Sequence, residues 1–387
     1  MSLGVYIQVP FCQTKCTYCN FHTGVVRAEK YAPYAHAVER EIRTHRELHA
    51  SHGIEVECLA SETVDTVYFG GGTPSLLDPA HLENILSAIR GSFSSCFEEV
   101  TLEADPETVT TEKASAWAGA GINRVSFGVQ SFSDDELKAS GRMHRREDVY
   151  RAAPILRAAG IQNLSFDLIV GLPHQTSESW RNSLDELIEL RPEHVSIYLL
   201  EVDEGSRLGR ELISLGTKYS APTVPSDEQM ADSYDLAQEL LAAAGYEHYE
   251  ISNWAKPGYA SRHNLKYWRR QPYLGFGAGA HSFNGATRWA NAHDAAQYVA
   301  AVEAGRLPAE QLEAVTPEQA NDEEIFLGLR QLAGVDLGLL SRDRAEALRA
   351  KFSSLESAGL IEREGNIVRL APKKLSISNE VFVELLG

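Results

Sequence analysis

The sequence is short of long apolar runs, of positive charge and of cysteine, and each shortage removes a class of protein. No stretch reaches the roughly 18 consecutive apolar residues that a membrane-spanning helix needs. The N-terminus, MSLGVYIQVPFC, has no basic segment followed by a long apolar core, so no secretory signal is read there. A soluble cytoplasmic protein is expected, with peripheral contact at a membrane surface left open. Lysine and arginine number 36 against 54 aspartates and glutamates, a net charge of −18. So acidic a chain repels phosphate backbones, and no nucleic-acid partner is expected beyond a local basic groove. No internal repeat or low-complexity tract stands out.

The five cysteines are Cys12, Cys16, Cys19, Cys58 and Cys96. A disulfide framework would place an even number along a short secreted chain, which this is not. Cys58 and Cys96 are isolated and read as ordinary residues. The other three fall within eight residues, the pattern of reduced thiols gathered on a metal.

What is present is an ordinary globular composition, 43% hydrophobic and 23% charged, in 387 residues. That length predicts a large domain with a smaller appendage. Short apolar runs at Val5–Val9, Thr63–Phe69, Val100–Ala104, Arg124–Val129, Asn163–Val170 and His194–Leu200 alternate with amphipathic stretches at Tyr34–Leu48, Pro79–Ile89, Asp135–Ala139, Val149–Ala159 and Ser177–Leu190. Buried parallel strands joined by helices are the reading. Gly121 and Gly160 look like helix stops that lead into the next strand. Six such units make most of a β/α barrel, whose ligand sites cluster at the C-terminal ends of the strands. The expected fold is thus α/β, a partial TIM-like barrel of six units over residues 1–205. Residues 206–305 form an extension containing a helix over 227–244 capped by Ser226 and an aromatic, glycine- and histidine-rich stretch at 246–290. Residues 306–387, with helical stretches at 322–333 and 341–358 and a hairpin turning at Gly365-Asn366, resemble a small winged-helix domain.

Cys12, Cys16 and Cys19 follow the first strand directly. A 4Fe-4S cluster is usually held by four thiolates; three leave one iron open to a substrate. The rival is zinc, with His22 completing a Cys3His set. Further along, Gly70-Gly71-Gly72-Thr73-Pro74 follows the second strand, where glycine lets backbone approach a ligand closely, although a plain tight turn reads the same way. Glu103 and Gln130 close the third and fourth strands. Glu103 can accept hydrogen bonds from hydroxyls or an ammonium, or be a solvated carboxylate. Arg142 can clamp a carboxylate or lie on the surface. Asp167 sits inside an apolar run, where a charge needs a partner.

The Cys12-x3-Cys16-x2-Cys19 spacing, with Tyr18 before the last cysteine, resembles the signature of radical S-adenosylmethionine enzymes. In that family the open iron chelates the cofactor's amino and carboxylate groups, and reduction yields a 5′-deoxyadenosyl radical. The stretch from Tyr6 to about Phe283 is similar to one branch, the coproporphyrinogen III oxidase-like proteins. The resemblance implies a 4Fe-4S cluster on Cys12, Cys16 and Cys19. It implies one or two S-adenosylmethionine sites lined by Tyr6, Tyr18, Gly70, Gly71, Gly72, Thr73, Glu103, Gln130, Arg142 and Asp167.

Two subfamilies share this core: oxygen-independent coproporphyrinogen III dehydrogenases and HemW-type heme chaperones. The dehydrogenases carry a further cysteine two residues after the third, where this chain has Phe21, and a long arm before the cluster, where this chain starts its first strand. His263-Asn264-Leu265-Lys266-Tyr267-Trp268 matches the HNxxYW motif associated with heme in the chaperones. Histidine is a common axial ligand of heme iron, and Tyr267 and Trp268 offer flat faces to a porphyrin; a His-Asn pair packed by two aromatics is the bland alternative. His281 is a second candidate ligand. The resemblance therefore implies a chaperone that binds heme and passes it to heme-dependent acceptors, respiratory enzymes among them, without coproporphyrinogen oxidase activity. The dehydrogenase and a zinc-binding interaction protein are the alternatives.

Overall fold

A computed structural model describes residues 2–56, 59 and 62–386; Cys58 lies outside the described residues. One mixed sheet organises the chain. Its twelve strands are β1 (Ser2–Val9), β2 (Thr63–Gly71), β3 (Ser95–Ala104), β4 (Arg124–Gln130), β5 (Asn163–Val170), β6 (His194–Leu199), β7 (Glu247–Glu250), β8 (Asn253–Ala255), β9 (Tyr273–Phe276), β10 (His281–Phe283), β11 (Thr287–Asn291) and β12 (Ala309–Ala314). Their spatial order is β12-β11-β10-β9-β1-β2-β3-β4-β5-β6-β8-β7. From β9 through β6 all neighbours are parallel, and the strands beyond each end are antiparallel. The sheet is open, so the architecture is the partial barrel rather than a closed one. The segment after β6 supplies both of its edges.

Alternation within the parallel strands separates two faces. Leu3, Val5, Ile7 and Val9 of β1, Val67 and Phe69 of β2, Val100 and Leu102 of β3, Val125 and Phe127 of β4 and Leu164, Phe166 and Leu168 of β5 are buried in one continuous core. The helices cover this face. Pro79–Ser92 begins on Asp78, whose carboxylate accepts from Ala80 N at 2.9 Å, with proline in the first turn. It turns Leu82, Ile85, Leu86 and Ile89 inward at helical spacing. Each such side chain contributes roughly 1.5–3 kcal/mol by leaving water. Thr111–Ala120 ends on Gly121 at φ +102°, a left-handed cap where a Cβ would be strained.

The intervening positions form the other face, and they are polar: Gly4, Tyr6 and Gln8; Thr66, Tyr68 and Gly70; Glu99, Thr101, Glu103 and Asp105; Arg124, Ser126, Gly128 and Gln130; Ser165 and Asp167; His194, Ser196 and Tyr198. Parallel strands covered by helices on both faces read as continuous apolar runs. Here the long helices cover one face, and the polar face is the one that holds candidate ligand-binding groups.

The smaller C-terminal domain contains helices Pro317–Arg330, Arg342–Ala347 and Arg349–Ser357 and a hairpin, Ile361–Glu364 with Ile367–Leu370, that turns at Gly365-Asn366. With Val335–Asp336 the hairpin makes a three-stranded sheet. Glu323 ties this domain to the main sheet by pairing with Arg270 at 2.6 Å and Arg288 at 2.9 Å. Among the described residues no helix is long and apolar enough to cross a membrane.

Candidate functional site

Where β1 ends, the chain enters the cysteine loop, and β2 is fastened to it. Gly72 N donates to Val9 O at 2.8 Å and Thr73 N to Phe11 O at 2.7 Å. A Cβ on Gly72 would come within 2.5 Å of the Phe11 carbonyl oxygen, so only glycine allows this approach. Gly70 packs against Tyr6 and Tyr68, and Gly71 against the Gln8 side chain. The glycine run therefore welds the second strand to the loop that carries the thiols.

Cys12, Cys16 and Cys19 are free and partly exposed. Burial pushes the Cys12 thiol above the usual range, against the Thr23 and Thr73 hydroxyls, which act in the opposite sense. Arg142 Nη1 lies 3.7 Å from Cys16 Sγ. A zinc ion at about 2.3 Å from each sulfur would draw its ligand atoms to within about 4 Å of one another. Among the described residues, no three metal-binding atoms within 4.8 Å of each other include a cysteine or His22. His22 is exposed, and its ring packs against His293 with centroids 4.2 Å apart. Cys96 stands at the far end of β3.

Around this loop the polar face presents its acidic groups. Glu103 accepts from Tyr68 OH at 2.9 Å and from Gly71 N at 3.0 Å. Burial raises its carboxyl to about 7, against the lowering effect of the Tyr68 bond. Asp105 binds Thr73 Oγ1 at 3.2 Å and forms an ion pair with Arg142, whose guanidinium also donates to Gly128 O at 2.7 Å. Gln130 holds a left-handed backbone, φ +64°, and its Oε1 is buried with no partner. Such a residue is strained by the order of 1 kcal/mol, and the orphaned oxygen is an acceptor awaiting a ligand. Asp167 accepts from Ser126 Oγ at 3.3 Å; burial raises its carboxyl, opposed by Ser196 and Arg124. Tyr6 OH donates to Gln8 Oε1 at 2.7 Å, and Tyr18 packs against the small apolar group of Ile169, Leu172, Leu200, Leu208 and Ala221. The structure thus gathers the cysteines, the glycines, Thr73, Glu103, Gln130 and Arg142 near one end of the sheet.

The HNxxYW segment lies at the other end. Its helix, Arg262–Trp268, links β8, on one side of the parallel strands, to β9, on the other. Glu99 receives its first N–H groups, Arg262 N and His263 N each at 3.0 Å, a carboxylate at a helix N-terminus. Lys266 pairs with Asp65 at 2.8 Å. His263 is buried, with Nδ1 2.9 Å from Thr66 Oγ1 and Nε2 2.9 Å from Tyr267 OH. Burial drives its pKa down to about 3, so the ring is neutral. His263 and Tyr267, four apart, share one helix side; Trp268 turns away and stacks under the Arg330 guanidinium at 4.5 Å. The three heme candidates do not face one surface, and His281 is exposed on β10.

Sequence reading missed Asp105, Tyr68 and Gln8. All three alternate by two with residues it named: Asp105 with Glu103, Tyr68 with Gly70, and Gln8 with Tyr6. Strand period was the available signal.

Fold and site together define a radical S-adenosylmethionine protein: the Radical SAM superfamily model matches residues 6–187 and the HemN C-terminal domain model residues 315–373. Members of that superfamily use a 4Fe-4S cluster and S-adenosylmethionine. The three free loop thiols and the orphaned Gln130 oxygen fit such a pair of groups. Within the superfamily the chain belongs to the HemW family. It is 34% identical to the heme chaperone HemW of Bacillus subtilis over 99% of both chains, and 36% identical to that of Escherichia coli over 72% of this chain and 69% of that one. Among solved structures, coproporphyrinogen III oxidase (HemN) from Escherichia coli superposes with a TM-score of 0.83 over 99% of this chain and 90% of that one, at 22% identity, a likeness of fold.

Proposed function

We propose that this chain is a heme chaperone that binds heme and hands it to heme-dependent acceptor proteins, respiratory enzymes among them, in the cytoplasm. The observation that carries the reading is the 34% identity to a HemW heme chaperone along essentially its whole length. Phe21, standing where the related dehydrogenases carry a further cysteine, supports it. The likeness to coproporphyrinogen III oxidase speaks for the fold and not for that reaction.

In this reading Cys12, Cys16 and Cys19 hold the cluster, and Arg142 keeps positive charge beside the Cys16 thiolate. Gln130 turns its free Oε1 to S-adenosylmethionine. Glu103, braced by Tyr68 and the Gly71 N–H, accepts from the cofactor's hydroxyl or ammonium groups. Tyr6, Tyr18, Gly70, Gly72, Thr73 and Asp167 complete the lining. When bound, the cluster and cofactor supply reductive cleavage of a carbon–sulfur bond. His263 is the proposed ligand of heme iron, with Tyr267 beside it against the porphyrin; Trp268, which packs under Arg330, joins them only once the helix moves. Its two ring nitrogens are engaged with Thr66 and Tyr267, so ligation requires the helix Arg262–Trp268 to release one of them.

Heme titration of the anaerobically reconstituted chain tests this. Wild type is expected to bind heme, and His263→Ala to bind it at least about tenfold more weakly, a loss of at least ~1.4 kcal/mol, with iron and sulfide unchanged. Equal affinity in the variant would remove His263 from the site, and a wild type that retains no heme would overturn the reading.

A further inference from the structure

We propose that His36, Glu39 and His81 bind a divalent first-row metal ion of the zinc type where the first two long helices meet. His36 and Glu39 are three residues apart on the helix Tyr31–Ala50 and share one of its faces. His81 stands in the first turn of Pro79–Ser92, which packs against that helix. One ligating atom from each of the three lies within 4.8 Å of the other two. The two imidazoles meet edge to face, with ring centroids 5.5 Å apart.

A second observation points to a ligand. Glu39 Oε1 and His81 Nδ1 are buried and have no hydrogen-bond partner. A buried polar atom left unpaired costs about 1–3 kcal/mol, and two of the three residues carry one. A carboxylate oxygen and an imidazole nitrogen are acceptors that a cation satisfies together. His36 is exposed, so an ion can enter from solution, and the net charge of −18 favours cations over anions. Two imidazoles and one carboxylate are the donor set that zinc and its neighbours prefer, and three protein ligands leave a position open to water. The group contains none of the three loop cysteines and is independent of the cluster.

Its place suggests its effect. Tyr31–Ala50 follows the cysteine loop in the chain, and Pro79–Ser92 follows Gly70–Thr73. An ion held by all three residues ties together the helices behind the two loops that meet at Gly72 and Phe11.

The test uses the full chain with its iron–sulfur cluster assembled anaerobically, so that the cysteines are occupied, titrated with Zn2+ by calorimetry and with Co2+ by absorption. Wild type is expected to take up one equivalent and to melt at a higher temperature with it. His36→Ala and His81→Ala should each weaken uptake at least about a hundredfold and abolish the thermal shift, with iron and sulfide content unchanged. His36 is exposed and His81 only partly buried, so the variants keep the fold. The absence of zinc uptake by wild type, or an equivalent that persists in the His36→Ala/His81→Ala double variant, overturns the proposal.

Discussion

At the cysteine end of the sheet, Gln130 Oε1 and Thr17 Oγ1 are buried without partners, and three thiols stand partly exposed. At the opposite end the same polar face is closed: His263 has both ring nitrogens engaged, Lys266 is paired with Asp65, and Glu99 caps the crossing helix. Arg124 Nε, Thr101 Oγ1 and Trp268 Nε1 near this end also lack partners, so the contrast lies in the motif residues themselves: the histidine is fully engaged, whereas the thiols stand free. Free, partly exposed thiols mark an end open to a ligand, and a fully engaged histidine under a capped crossing helix marks a joint that holds the open sheet together. A histidine motif at the joint can serve heme only by opening it, whereas the cysteine end is ready as it stands.

Breaking the open end should give the largest effects. Cys16→Ser is expected to remove essentially all cluster iron and sulfide while far-ultraviolet circular dichroism stays unchanged; a variant with full iron content would contradict the assignment. Glu103→Gln comes next, weakening S-adenosylmethionine about 10- to 100-fold for a lost charged hydrogen bond of ~1.5–3 kcal/mol. The wild type should show the same group in its pH dependence. Its carboxyl rises from 4.5 to about 7 on folding, so the folded chain holds that proton more tightly than the unfolded one. The group's contribution to stability falls as pH rises from 4.5 through 7, while cofactor affinity grows about tenfold between pH 6 and 8 as the carboxylate forms. A flat affinity profile across that range would take Glu103 out of the cofactor site.

The closed end should respond in stability and not in the cluster. Thr66→Val strands His263 Nδ1 and is expected to cost about 1–3 kcal/mol in denaturant unfolding, with iron unchanged. Loss of cluster in this variant would mean the two ends are not separable. Tyr267→Phe gives the smallest change. By freeing His263 Nε2 it should leave heme binding equal or up to about fivefold tighter, the worth of one ~1 kcal/mol hydrogen bond. A large loss instead would make Tyr267 the residue that binds heme.

Much of the fold was legible because the parallel strands alternate so regularly. Asn163–Val170 and Ser177–Leu190 have the limits their patterns predict, and Asp227–Ala243 starts on Ser226 as expected. The helix Thr111–Ala120 was legible only by its stop at Gly121: in TEKASAWAGA only Trp117 is a large apolar residue, too little to show a stripe. The sheet edges were not legible. Strands β7 to β11 are three to five residues long, and their partners lie on opposite sides of the molecule, a pairing that local pattern does not encode. At the site, Glu103 was visible as a charge at a strand end and Arg142 as one after a short polar helix. Asp105, which holds both Arg142 and Thr73, was not, because its role exists only once β3 and the 142 loop are side by side. The burial of His263 was equally hidden, since a seven-residue helix says nothing about the sheet above it.

The most direct test places two reactions in one anaerobic, cluster-loaded preparation of the full chain. One portion is loaded with heme and mixed with an apo-hemoprotein; the other receives coproporphyrinogen III, S-adenosylmethionine and a reductant. Heme that is bound and then transferred, with no decarboxylation above background, is the expected result. Decarboxylated product from a chain that neither retains nor delivers heme would contradict it.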